Sequence, residues 1–122
     1  MSSQHEAFRE EAYELLTALE SSLLELEESP GDMEIVGAVF RAMHTIKGSG
    51  AMFGFDDISS FTHDVETVYD LVRNGELQVT GELVSLSLAA RDQIKAMLDA
   101  TCGGEPCDNV RTEELRAAFR AL

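Results

Sequence analysis

Apolar side chains recur every three or four residues through four successive segments, and alternation with period two is absent, so the sequence predicts amphipathic helices and no strands. In the first segment the stripe is Phe8, Ala12, Leu15, Leu19, Leu23 and Leu26, while Glu10, Glu11, Glu14, Glu20, Glu25, Glu27 and Glu28 occupy much of the remaining surface. This helix is expected from about Gln4 to Glu28, where Ser29, Pro30 and Gly31 stop it. Asp32 is placed to cap a second helix with the stripe Ile35, Val39, Met43, Ile46 and Gly50, which runs to the Phe-Gly-Phe stretch at residues 53–55. Asp56 or Asp57 opens a third, with Ile58, Phe61, Val65, Val68 and Val72 inward and Asn74 and Gly75 as its stop. Thr80 caps a fourth, with Leu83, Leu86, Ala90, Ile94 and Met97, which Gly103 and Gly104 end. A shorter fifth segment, from about Thr112 to Leu122, carries Leu115 and Phe119 at i and i+4.

Four such helices joined by short connections bury their stripes most economically as an antiparallel up-and-down four-helix bundle. The chain is therefore expected to be all-α: residues 1–103 form the bundle, and residues 104–122 form a connection and an additional C-terminal helix of the same domain, leading toward a linker in a longer protein. With 122 residues there is room for a single core. The periodic pattern breaks across residues 103–109, so the last helix is expected to be the part that moves independently.

Charge narrows the partners. Nine basic against 23 acidic residues give a net charge of −14, a surface that repels the phosphates of nucleic acid and of anionic lipid. Neither nucleic-acid binding nor membrane insertion is expected, since no stretch approaches the roughly 20 apolar residues of a membrane span. The first residues lack the cationic and apolar regions of a signal peptide, which points to the cytoplasm. The two cysteines, Cys102 and Cys107, are read as free thiols, because they stand close together near the end rather than spread through the fold as staples.

Familiar catalytic frameworks are missing: there is no phosphate-binding loop of the GxxxxGK[ST] type, no HExxH and no GxSxG. One stretch on the second helix stands out, His44-Thr45-Ile46-Lys47-Gly48-Ser49-Gly50, because each glycine inside a helix costs about 1 kcal/mol relative to alanine. On a helical wheel Arg41, His44, Lys47, Gly48 and Ala51 share a face turned roughly 100° or more from the core stripe. That arrangement predicts an exposed imidazole with a cation one turn along, and Gly48 leaves room for a partner to approach. On the third helix His63, Glu66 and Asp70 recur at i, i+3 and i+7, so Glu66 could accept a hydrogen bond from Nδ1 of His44 and leave Nε2 as the nucleophile. Spacing alone leaves the plainer reading open, in which His44 is a solvated surface residue and the acidic runs are solvated faces. His44 and His63 lack the carboxylate or thiol framework of a zinc site, and His5 is expected to be uninvolved.

Residues 40–55, FRAMHTIKGSGAMFGF, resemble the phosphorylation helix of histidine-containing phosphotransfer (HPt) domains, and most closely those at the N-terminus of chemotaxis histidine kinases of the CheA type. Residues 61–77, FTHDVETVYDLVRNGEL, resemble the next helix of the same family, and the helical pattern is similar over about residues 4–101. The resemblance implies that His44 is the phosphoryl acceptor, that Glu66 orients its ring, that Lys47 offsets phosphoryl charge, that His63 supports the network and that Gly48 admits the partner. Met43, Ser49 and Met52 stand where the family commonly has smaller residues, which bears on packing more than on chemistry. The implied partners are the ATP-binding domain of a histidine kinase, which would use ATP and magnesium, and the receiver domain of a response regulator. This domain itself is expected to bind no cofactor and, having no ATP site, not to be a complete enzyme. A start at Met1 and an end just after a helix fit an N-terminal fragment of such a kinase better than a freestanding phosphotransfer protein. The competing function is a non-catalytic helical interaction module whose acidic face docks a basic partner.

Overall fold

The computed structural model describes residues 3–122, so residues 1 and 2 of the expected bundle lie outside the described residues. Five helices follow one another: α1 (Ser3–Glu28), α2 (Met33–Met52), α3 (Asp56–Arg73), α4 (Gly81–Thr101) and α5 (Asn109–Arg120), with no strand among the described residues. α1 packs on α2 and α4, and α3 packs on α2 and α4, which closes a four-helix ring without diagonal pairs; α5 lies against α3 and α4. Short connections between neighbours make the bundle antiparallel, as the apolar periodicity predicted.

Local chemistry sets the ends of the helices. Asp32 Oδ1 accepts from the Glu34 N–H at 3.0 Å, and Thr80 Oγ1 from the Leu83 N–H at 3.1 Å, each satisfying a donor of an open first turn. α3 begins at Asp56 without a side-chain cap; instead the Phe55 N–H donates to Gly50 O at 2.7 Å, closing the tight turn from α2. Gly54, with φ of +85°, makes that turn possible because a Cβ is strained in the left-handed region. This short connection holds α2 and α3, the two helices that carry the site, against each other.

The core contains Phe8, Leu19, Leu23, Val39, Met43, Ile46, Phe61, Val65 and Ile94, all buried. The stripe differs from the sequence reading by small rotations. Leu16 rather than Leu15 is fully buried in α1, and Leu15 packs at the edge of the core. Val36 fills the position beside the partly buried Ile35, and in α4 Val84 and Ser87 are buried while Leu86 is at the margin. Tyr69 joins the core with its hydroxyl 2.6 Å from Ser87 Oγ, which in turn donates to Leu83 O at 2.7 Å, so both buried hydroxyls are paired.

α5 starts at Asn109, earlier than the expected Thr112, because the Asp108 side chain caps it by accepting from Val110 N and Arg111 N. It is docked: Leu115 and Phe119 are buried, Gln93 Nε2 donates to Thr112 Oγ1 at 2.9 Å, and Arg120 Nη2 donates to Asp64 Oδ2 at 3.2 Å. The broken pattern before this helix had suggested independence, but the contacts that seat it come from α3 and α4.

Candidate phosphotransfer site

His44 lies in the fourth turn of α2, on the face turned away from Val39, Met43 and Ile46, and its side chain is 64% exposed. Glu66 reaches it from α3. Glu66 is buried, its side chain only 8% exposed, so its carboxylate approaches the imidazole from within the groove between the two helices. Glu66 Oε2 is 2.6 Å from His44 Nδ1, and Glu66 Oε1 accepts from Lys47 Nζ at 2.7 Å. One carboxylate thus binds two side chains that stand three residues apart on α2.

The electrostatics follow from that bridge. Burial pushes the Glu66 carboxyl up, but hydrogen bonds from Lys47 and His44, together with their charges, more than offset it, and the net shift is downward from the ordinary value of 4.5. Glu66 is therefore ionised at neutral pH and can only accept, so Nδ1 of His44 carries the proton. In the neutral ring Nε2 then bears the lone pair, on an exposed side chain.

The remaining residues of the sequence reading fall around this bridge. His63, one turn before Glu66, places Nδ1 3.8 Å from Glu66 Oε1, outside hydrogen-bond length, and its side chain is mostly exposed. Gly48 is exposed, and a Cβ built there would meet nothing within 4 Å. Packing within the chain therefore gives no reason for that glycine. Asp70 Oδ1 stands 3.9 Å from Arg73 Nη1. His5 is remote from His44 in the contacts it makes, its ring lying edge-on to Phe55. Among the described residues no three His, Cys, Asp or Glu side chains converge so as to hold a metal ion.

Three contributors were not read from the sequence. Ser59 Oγ donates to the carbonyl of Lys47 at 2.8 Å, pinning the end of α2 that carries the lysine to α3. Phe40, one turn before His44, stacks near the imidazole, and the Arg73 guanidinium lies over the Phe40 ring. Spacing on α2 places Phe40 near His44, but nothing in the sequence shows that Arg73 of α3 meets the same ring.

A family model for the Hpt domain matches residues 5–104. The chain belongs to the Hpt domain family. Over its whole length it is 38% identical to the chemotaxis protein CheA of Rhizobium meliloti, of which it covers 16%. Among solved structures, the CheA phosphotransferase domain from Thermotoga maritima is 36% identical, with a TM-score of 0.78 over 84% of this chain and 99% of that one. The phosphorylated P1 domain of CheA3 in complex with CheY6 from R. sphaeroides is 30% identical, with a TM-score of 0.86 over 99% of this chain and 95% of that one. This Hpt domain therefore spans a small part of the length of the curated relatives it matches but nearly the full length of the solved phosphotransfer domains. Among its described residues no helix is long and apolar enough to cross a membrane.

Proposed function

We propose that this Hpt domain carries phosphoryl groups in two-component signalling of the chemotaxis type, with His44 as the acceptor. The observation that carries the reading is the Glu66 bridge: a buried, ionised carboxylate holds Nδ1 of an exposed imidazole and leaves the Nε2 lone pair for an electrophile. In the forward step Nε2 attacks the γ-phosphorus of ATP held by a kinase domain. The N–P bond forms, the bond from phosphorus to the bridging oxygen breaks, and ADP leaves with that electron pair. Attack makes the ring more positive, and Glu66 stabilises that charge through the proton on Nδ1. Lys47 holds the second carboxylate oxygen and places a cation beside the entering phosphoryl group.

Return of the phosphoryl group to an aspartate of a receiver domain restores the neutral ring. The CheA3 P1 domain, similar to this chain over almost its whole length, is phosphorylated and in complex with CheY6, which supports a receiver as the second partner. Kinase domain, ATP and magnesium belong to the first partner. His63 contributes through Glu66, and Gly48 keeps the approach to the ring open.

The test is incubation with a CheA-type kinase domain, ATP and magnesium, followed by intact mass. A gain of one phosphoryl group that is labile in acid and retained in base, and that disappears in His44→Gln, is the expected result. No gain with several such kinase domains would favour the interaction-module reading instead.

A further inference from the structure

A single hydrogen bond does not fix an imidazole. The ring turns about its Cβ–Cγ bond through a broad terminal torsion, and one hydrogen bond at Nδ1 leaves it room to rock about that bond and carry the Nε2 lone pair with it. The structure supplies a second constraint. Phe40 lies one turn before His44 on α2, with ring centroids 6.0 Å apart and planes 12° from parallel. The guanidinium of Arg73, in the last turn of α3, is 4.1 Å from the centroid of the same Phe40 ring. A cation is drawn to the face of an aromatic ring rather than to its edge, so Arg73 favours one orientation of Phe40. Asp70, one turn earlier on α3 and 3.9 Å from Arg73 Nη1, helps to keep the guanidinium in place.

Phe40 packs against the core but does not fill it. It is only partly buried at the margin of the core, while Val36, Val39 and Met43 on the same helix are fully buried. Nor is Arg73 needed as a partner for Glu66, which is already occupied by Lys47 and His44.

We infer that Phe40, held by Arg73, is a positioning residue that sets the plane of the His44 imidazole and so aims Nε2 at the incoming phosphorus. The inference rests on the reading of His44 as phosphoryl acceptor. Glu66 then fixes which nitrogen reacts, Phe40 fixes where it points, and Arg73 acts through Phe40. A planar ring rather than mere apolar volume is what the role requires.

The experiment compares the full chain with Phe40→Leu, Phe40→Tyr and Arg73→Gln. Phosphoramidate serves as a small phosphoryl donor, so that docking of a protein partner does not enter: Nε2 attacks its phosphorus, the P–N bond breaks and ammonia leaves. Intact mass gives the rate, thermal unfolding gives the stability, and NMR gives the tautomer of the His44 ring and, from carbon relaxation, its motion. Phe40→Leu should slow the reaction about tenfold, as expected for a misdirected nucleophile, while Phe40→Tyr stays within about twofold of wild type and Arg73→Gln falls between. Ring motion should increase in Phe40→Leu and Arg73→Gln, with the Nδ1–H tautomer kept in every variant. A wild-type rate and wild-type ring motion in Phe40→Leu would overturn the inference, as would equal slowing by leucine and tyrosine or a lost tautomer. If Phe40→Leu unfolds, Arg73→Gln carries the same test from a surface position. The relaxation measurement needs no donor: it decides whether Phe40 fixes the ring even if wild type gains no phosphoryl group, an outcome that would overturn the proposed function instead.

Discussion

Lys47 Nζ lies 2.7 Å from Glu66 Oε1, on the same carboxylate whose other oxygen meets the His44 ring. The lysine is therefore tied to the group that orients the nucleophile as well as standing near it. Changing either residue should disturb the other, and the consequences separate their roles.

Glu66→Ala removes the acceptor for Nδ1 and should let the His44 ring sample both tautomers, with phosphorylation slowed by about tenfold to a hundredfold, the usual cost of losing a group that orients a functional imidazole. Glu66→Gln should lose less, since its amide oxygen still accepts from Nδ1, but its amide nitrogen can only repel Lys47. Nitrogen chemical shifts of the ring measure the tautomer directly. Unchanged shifts in both variants would remove Glu66 from the orienting role.

Lys47→Met should move the titration of the Glu66 carboxyl to higher pH. The Glu66 carboxyl is held below its ordinary 4.5 because the bonds and charges of Lys47 and His44 outweigh burial, which pushes it up. A carboxyl depressed on folding stabilises the folded state above its unfolded value, and that contribution disappears as pH falls through the folded value. Without Lys47 the largest opposing contribution is gone and burial has more weight, so the Glu66 contribution to stability should fade at a less acidic pH. Unfolding midpoints and the carboxyl carbon shift of Glu66 recorded from pH 3 to pH 7 check the sign. A carboxyl that titrates where it does in wild type would mean that Lys47 does not control it.

Gly48→Gln should separate stability from function. No atom stands within 4 Å of a Cβ at this position, and leaving glycine inside a helix gains up to about 1 kcal/mol. The unfolding midpoint should hold or rise while phosphoryl exchange with kinase and receiver domains slows, and phosphoramidate should be affected less. Unfolding of the bundle by this change would assign Gly48 to packing.

The helices, their order and most of their ends were legible in the sequence because caps and glycines act locally: Asp32, Thr80, Asn74 and Gly75 do where they stand what their chemistry predicts. The choice between Leu15 and Leu16 was not legible. Either leucine completes a spacing of three and four with Ala12 and Leu19, and only the packing of α1 on α2 and α4 selects Leu16. At the site, the faces of α2 and α3 could be read, since the helical repeat places His44 and Lys47 together and sets Glu66 beside its own core stripe. The atoms that Lys47 chooses, and the meeting of Arg73 with Phe40, depend on how far one helix is slid along the other. Periodicity carries no information about that register. The docking of α5 was hidden for the same reason, because Ser60, Asp64 and Gln93 hold it from distant parts of the chain.

Phe119→Ala should loosen α5 without touching the site. Phe119 is buried where α5 meets the bundle, and truncating a buried phenylalanine costs about 3 kcal/mol or more when the surroundings cannot close over the gap. Hydrogen exchange should report faster opening of Asn109–Arg120, while the His44 tautomer and the phosphoramidate rate stay at wild-type values. A fall in that rate would couple α5 to the site through α3.

The central claim is that the phosphoryl group enters on Nε2 of His44, with Nδ1 occupied by Glu66. Phosphorus and nitrogen NMR of the domain after phosphorylation by a kinase domain, with the ring nitrogens labelled, identifies both the histidine and the bonded nitrogen. The account predicts one phosphohistidine, at Nε2 of His44, with the proton retained on Nδ1. A phosphoryl group on Nδ1 of that ring, or on His63 or His5, would contradict it.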